Sequence, residues 1–257
     1  MDRATLKTTA FGFLGALFLL TPFAMHDLYD TPIPFLWWMI SNGAVYVKIF
    51  FHELGHTAFM YYYGHLALPM FMPGGGGLTM GTPQFIPLAL GMSALLFYTT
   101  RLNRDNGFWF WLVVFLLIFQ LATFFTDFHE SVVSFMGHGT EIILGGYMLY
   151  RALLDLAHNA TERWANALFG FFMIFYNLYQ GWGLAFVPAV RQSYIDAHAN
   201  LPCGAPDFIK IAETMNVSLG SVALCAFAAA IVALVVPFIL WERDEDWYEE
   251  SEERFPV

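Results

Sequence analysis

Apolar positions in this chain fall in long unbroken runs, with little of the alternation that marks a half-buried element. Runs near the length that spans a bilayer recur at 9–25, 35–63, 107–126, 132–154, 165–188 and 217–240. A shorter apolar segment, 85–100, overlaps the end of "LPMFMPGGGGLTMGTPQFIP". Four consecutive glycines and four prolines there exclude one continuous helix. Backbone of that kind sits at membrane depth only when buried in protein or lining a wet cavity. The pattern predicts an all-α polytopic integral membrane protein of about six transmembrane helices plus a Gly/Pro-rich re-entrant element. Residues 1–240 form one membrane domain, and 241–257 form an acidic tail.

Composition agrees with that solvent. The chain of 257 residues is 58% hydrophobic and 12% charged, about half the charge of a soluble domain. Mean hydropathy is +0.55. The net charge of -10 is mostly local: "WERDEDWYEESEERFPV" holds eight acids and two arginines, which leaves -4 for the first 240 residues. Such an end reads first as solvated and partly disordered, and second as a handle for a basic regulatory partner. No basic surplus is present for nucleic acid. Cys203, in an expected loop, and Cys225, in an apolar helix, support neither a disulfide framework nor a cysteine zinc site.

Loop charges orient the spans. Arg3 and Lys7 place the N-terminus in the cytoplasm, and with no small-residue cleavage signal following, 9–25 reads as a retained first span. The acidic "HDLYDTPIP" suits the outside. Arg101, Arg104, Arg151 and Arg163 all fall inside if 64–100 leaves and returns on one side. The expected location is the inner membrane, multi-pass, with both termini cytoplasmic.

Against this apolar background stands "KIFFHELGHTAFMYYYGH", Lys48 to His65. His52 and His56 are four residues apart, hence about 40° apart on one helical face and one turn along. Both rings can reach one ion at the roughly 2.0–2.1 Å of zinc coordination. Glu53 lies about 100° round from His52, beside such an ion instead of on it. There a carboxylate can take a proton from water. The bland alternative is a histidine pair that hydrogen-bonds neighbouring helices, but ionisable groups inside a span are functional by default.

"HELGHTAFMYYYG" followed by "MPGGGGLTM" resembles the intramembrane zinc metalloproteases of the site-2 protease class, especially their compact bacterial branch. The resemblance covers about residues 48–82. It implies one zinc ion held by His52 and His56, Glu53 as catalytic base, and a Gly-rich strand-like element beside the substrate. The substrate it implies is a membrane-spanning protein cleaved within the bilayer. That family takes a third ligand from an aspartate in an L-D-G or N-P-D-G motif, and this chain departs there. Its nearest match, "GHGTEIILGGYMLYRALL", has Leu144-Gly145-Gly146 but no aspartate. The same segment carries His138 and Glu141, three residues apart on nearly one face. Either can complete a three-ligand site, with the other orienting a ligand or water. A His–Glu pair tying two helices is the plain alternative.

Other polar residues signal less. Lys48, one turn before His52, suits a bundle salt bridge to Glu141 or another acid. Asn177 and Gln180 suit inter-helix hydrogen bonds. Asp127, His129 and Glu130 read as a solvated loop, and His65 as interfacial. Three other functions compete with proteolysis: a membrane hydrolase of lipids or amides, a di-iron oxidase built on Glu53/His56 and His138/Glu141, and a non-catalytic subunit that keeps the motif for structure.

Overall fold

Helices form close to where the apolar runs place them. The computed structural model describes residues 3–29, 32–72, 76–154, 156–198 and 206–254. In chain order its elements are α1 (Arg3–Tyr29), α2 (Phe35–Tyr62), β1 (Ala67–Met72), β2 (Gly76–Gly81), α3 (Ile86–Leu102), α4 (Gly107–Thr123), α5 (Phe128–Leu153), α6 (Ala160–Phe186), α7 (Pro188–His198), α8 (Asp207–Met215) and α9 (Leu219–Arg254). Cys203 and residues 73–75 of the Gly-rich stretch lie outside the described residues.

Among the described residues two stretches, Thr5–His26 in α1 and Leu219–Glu242 in α9, are long and apolar enough to cross a membrane; α3 and α4 are apolar but have 17 residues each. α2, α5 and α6 are longer, and they carry the buried polar residues described below. α4 shows an inverted distribution. It buries Gln120 and Thr123 while Phe115, Ile118 and Leu121 face outward. In water that arrangement is unfavourable on both sides. α9 likewise buries Ala223, Ala226 and Ala230 and exposes Val232, Val235 and Ile239.

Two departures from the sequence pattern matter. The stretch between the fifth and sixth long helical runs, expected as loop, contains α7 and α8. Asn216 ends α8 in the left-handed conformation (φ 51). The acidic stretch also continues α9 through Arg254, because extending an existing helix costs far less than nucleating a new one.

The chain divides into two compact units. The first comprises residues 1–48, 140–191 and 223–257. Its helices meet on small residues. A Cβ added to Gly12 of α1 would lie 2.4 Å from the Ala167 Cβ and 2.9 Å from α6 backbone. Gly145 and Gly170 face each other across α5 and α6, each Cβ position within about 3 Å of the other's carbonyl. Phe13 packs edge-on against Phe171 and Phe175. The buried Arg163 donates to Thr5 Oγ1 at 2.9 Å.

The second unit comprises residues 49–139 and 192–222. Here α2 ends at a tight turn in which Gly64 takes φ +87, and its carbonyl accepts from Phe85 N at 2.8 Å. Tyr62 and Tyr63 anchor the helix end. Tyr62 OH donates to the Leu116 carbonyl, and Gln120 Nε2 donates to the Tyr62 carbonyl. Tyr63 OH meets Thr123 Oγ1 at 2.7 Å.

The Gly/Pro-rich segment is an antiparallel hairpin in register from Ala67↔Gly81 to Met72↔Gly76. Thr82 N bonds the Leu66 carbonyl at 2.9 Å. Even-numbered pairs are therefore the hydrogen-bonded ones, and Pro69↔Thr79 is not. Proline thus occupies the position where its missing N–H breaks no rung of the ladder. The alternation also sorts the side chains. Phe71, Gly77, Thr79 and Gly81 share the face that meets α2, where Phe71 stacks on Phe50. Leu68, Met70, Leu78 and Met80 share the other.

The helix crossing of the first unit yields a paired test. Gly12→Ala should destabilise by about 1–3 kcal/mol, since the added methyl meets backbone. Gly43→Ala, with nothing within 4 Å of its Cβ position, should shift thermal unfolding in detergent by no more than about 0.5 kcal/mol.

Candidate functional site

The HELGH turn lies within the C-terminal half of α2, which is helical from Phe35 without a break. Its four-residue spacing turns both imidazoles the same way, and their Nε2 atoms are 3.0 Å apart. A third atom joins them from α8. Asp207 Oδ2 stands 2.9 Å from His52 Nε2 and 3.1 Å from His56 Nε2. The three atoms form a nearly equilateral triangle.

That triangle fits a cation. His56 Nδ1 donates to the Val133 carbonyl at 2.8 Å, because a carbonyl can only accept. In the neutral ring, Nε2 is then a bare lone pair. It faces a carboxylate oxygen and a second ring nitrogen, a convergence that repels unless a positive charge lies between. Tetrahedral zinc with ligands near 2.0–2.1 Å places its donors about 3.3 Å from one another, a few tenths of an ångström more than seen here. Two imidazoles and one carboxylate form a typical catalytic zinc set.

Glycine makes room for it. A Cβ on Gly137 would lie 2.5 Å from both His52 Nε2 and His56 Nε2. Any larger residue on that turn of α5 would occupy the meeting point. His138, the next residue, packs its ring edgewise on His52 at 4.7 Å and stacks on Phe208 at 4.3 Å. It is thus beside the cluster, on the side from which α8 approaches.

Glu53 is buried and held by the hairpin. Thr79 Oγ1 donates to Glu53 Oε2 at 2.7 Å and lies 3.2 Å from the Glu53 carbonyl. Gly77 backs directly onto the carboxylate, where a Cβ would stand 2.1 Å from Oε1. Thr57 Oγ1 caps the Glu53 carbonyl at 2.7 Å.

Asp207 begins α8, and Pro206 precedes it. Burial alone would push its carboxyl up. The contacts of the His52 and His56 rings with it, and the positive charge those rings can carry, instead hold it well below the usual carboxylate range. Tyr194 of α7 belongs to the same unit. Burial, then the Asp207 charge, pushes its phenol up, so it remains a protonated donor.

Sequence reasoning missed Asp207, Thr79 and Tyr194. For Asp207 a signal exists: Pro-Asp followed by apolar residues at Phe208, Ile211 and Ala212, all buried, is the start of a short amphipathic helix. Nothing in the sequence singles out Thr79 or Tyr194.

Glu141, the other candidate on α5, belongs to the first unit. There its Oε1 accepts from Lys48 Nζ at 2.7 Å and its Oε2 from Asn177 Nδ2 at 2.7 Å. The Lys48 ammonium also lies 4.6 Å from the centre of the Tyr176 ring. Lys48 is thus the bundle salt bridge expected of it, and Asn177 the inter-helix hydrogen bond. In the second unit, Glu130 comes within 3.5 Å of Lys210. His129 donates to the Thr126 carbonyl and stacks with His65.

The Lys48–Glu141 pair predicts asymmetric mutant costs. Lys48→Met alone strands a buried carboxylate and should cost about 3–5 kcal/mol, whereas Lys48→Met with Glu141→Leu should recover most of that. Thermal unfolding of the two variants in detergent measures the difference. The chain matches no protein-family model, no curated protein and no solved structure.

Proposed function

We propose that this protein is an intramembrane zinc metallopeptidase that hydrolyses peptide bonds of membrane-spanning proteins. The observation that carries the proposal is the triangle of His52 Nε2, His56 Nε2 and Asp207 Oδ2, with Glu53 adjacent on the same helix and outside the triangle. In this reading His52, His56 and Asp207 hold one zinc ion. His138 packs against His52 and remains the reserve donor. The metal supplies Lewis acidity toward the scissile carbonyl and acidifies water toward a pKa of ~7.

The protein's own groups perform the proton transfers. Glu53 takes a proton from the attacking water as oxygen adds to the carbonyl carbon. It then returns that proton to the nitrogen as the C–N bond breaks. Tyr194, which feels the Asp207 charge, stays protonated and is a candidate donor for developing negative charge. A substrate helix must unwind before its peptide bond is accessible. The hairpin supports a strand-pairing mode of capture. Its β2 edge, formed by Gly77, Thr79 and Gly81, presents a full set of backbone donors. The β1 edge lacks one at Pro69.

The membrane setting extends the same proposal. About six spans and a re-entrant element built from the hairpin and α3 would place the HELGH turn roughly 10–16 Å from the cytoplasmic helix end at 1.5 Å per residue. The outward apolar faces of α4 and α9 support a lipid surround. Both termini would then be cytoplasmic in the inner membrane. The acidic end of α9 would be available to a regulatory partner.

Two measurements on purified protein test this. Wild type should carry about one zinc per chain by elemental analysis and should cleave a single-span reporter in liposomes. Glu53→Gln should keep the zinc and lose cleavage by at least about a thousandfold, on the scale of removing a general base together with its charge. Asp207→Ala should lose zinc. Full zinc in Asp207→Ala with loss in His138→Ala would transfer the third-ligand role to His138. Two irons per chain would favour an oxidase, and cleavage by Glu53→Gln would remove Glu53 from the reaction.

A further inference from the structure

Glu53 is a buried carboxylate whose hydrogen-bond donor comes from outside its own helix. Its donor is a hydroxyl on a strand 26 residues away. The contact is short, 2.7 Å, and Thr79 has one proton to give. The Glu53 carbonyl is already served by Thr57. The Thr79 proton therefore belongs to Oε2, leaving Oε1 with no hydrogen-bond partner among the described residues. The two carboxylate oxygens are made unequal: one is tied down, the other left with its lone pairs uncommitted.

The strand is built to make this contact. Thr79 sits between Gly77 and Gly81 on the face of β2 that meets α2, and both glycines lie where a Cβ would strike an α2 side chain. Gly77 would strike Glu53, and Gly81 would come within 1.9 Å of Met60 Cε. Removing those two side chains brings the strand close enough for the short threonine hydroxyl to reach the carboxylate. A hydrogen bond to an ionised acceptor is about twice as strong as a neutral one. It also fixes the rotamer of a long, flexible side chain.

We infer that Thr79 is a positioning residue: its hydroxyl holds the Glu53 carboxylate in the one orientation from which it takes the proton from water. This deepens the peptidase reading and rests on it for its kinetic consequence, whereas the hydroxyl–carboxylate coupling stands independently. The substitution that isolates it is Thr79→Val, which keeps the branched shape of the side chain and removes the donor.

Two experiments on the full chain in detergent or liposomes decide it. In reporter cleavage, Thr79→Val should lower kcat about ten- to a hundredfold with KM and zinc content unchanged. Thr79→Ser, which restores the hydroxyl, should return kcat to within about threefold of wild type, on the scale of a lost methyl contact. Wild-type kcat in Thr79→Val, or equal loss in both variants, overturns the proposal, the second by assigning the effect to packing. In thermal unfolding, Thr79→Val should lower Tm in the wild-type background and leave it unchanged in Glu53→Ala. Equal shifts in the two backgrounds would show no coupling and would overturn the proposal even if the chain cleaves nothing. Coupled unfolding with an inactive wild type would instead count against the peptidase reading and leave the orientation of Glu53 intact.

Discussion

Three lone-pair atoms brought within about 3 Å of one another are the constraint around which the second unit is arranged. Two come from one turn of α2 at no structural cost, because the helix repeat aligns residues four apart. The third must be delivered by a separate helix whose first residue is Asp207. Its oxygen is shared almost equally between both imidazoles. Each neighbouring feature follows from protecting that convergence: the Val133 carbonyl that sets the His56 tautomer, the Phe208 ring that packs on His138, and the empty Cβ position of Gly137.

The first unit solves a different problem. Where its outward apolar residues meet lipid instead of water, little hydrophobic gain would remain for holding helices together. Close backbone approach at Gly12, Gly145 and Gly170 supplies dispersion contacts instead. Lys48, Glu141 and Asn177 supply a buried polar tie whose loss on one side is costly.

Much of this was legible in the sequence, and the part that was not has a common cause. The HELGH spacing carries its own geometry, so His52, Glu53 and His56 follow from the helical repeat alone. The Lys48 salt bridge follows from the expense of a lone ammonium in an apolar run. The glycines and prolines of residues 68–87 announce a break in helix, and the structure makes it a hairpin. Asp207 announces only the start of a short helix, not its return to the site. It lies 151 residues beyond His56, on a nine-residue helix in a stretch read as loop, and periodicity cannot say which distant acid returns to a site. Of the α5 candidates His138 and Glu141, the first packs on His52 and the second accepts from Lys48 and Asn177. Thr79 is hidden for the same reason, since a threonine in a Gly-rich strand looks like any other until its partner is seen.

Pro69 has an implication for behaviour outside the native state. An exposed strand margin is a template on which a second molecule can zip, rung by rung, into an intermolecular sheet. The outer margin of β1 has a gap at its middle position, so propagation along it stalls after a residue or two. The hairpin is therefore polarised, with one side closed to polymerisation and the other kept receptive. A chain that must leave a bare strand at an apolar surface gains some protection from self-association through a single absent hydrogen.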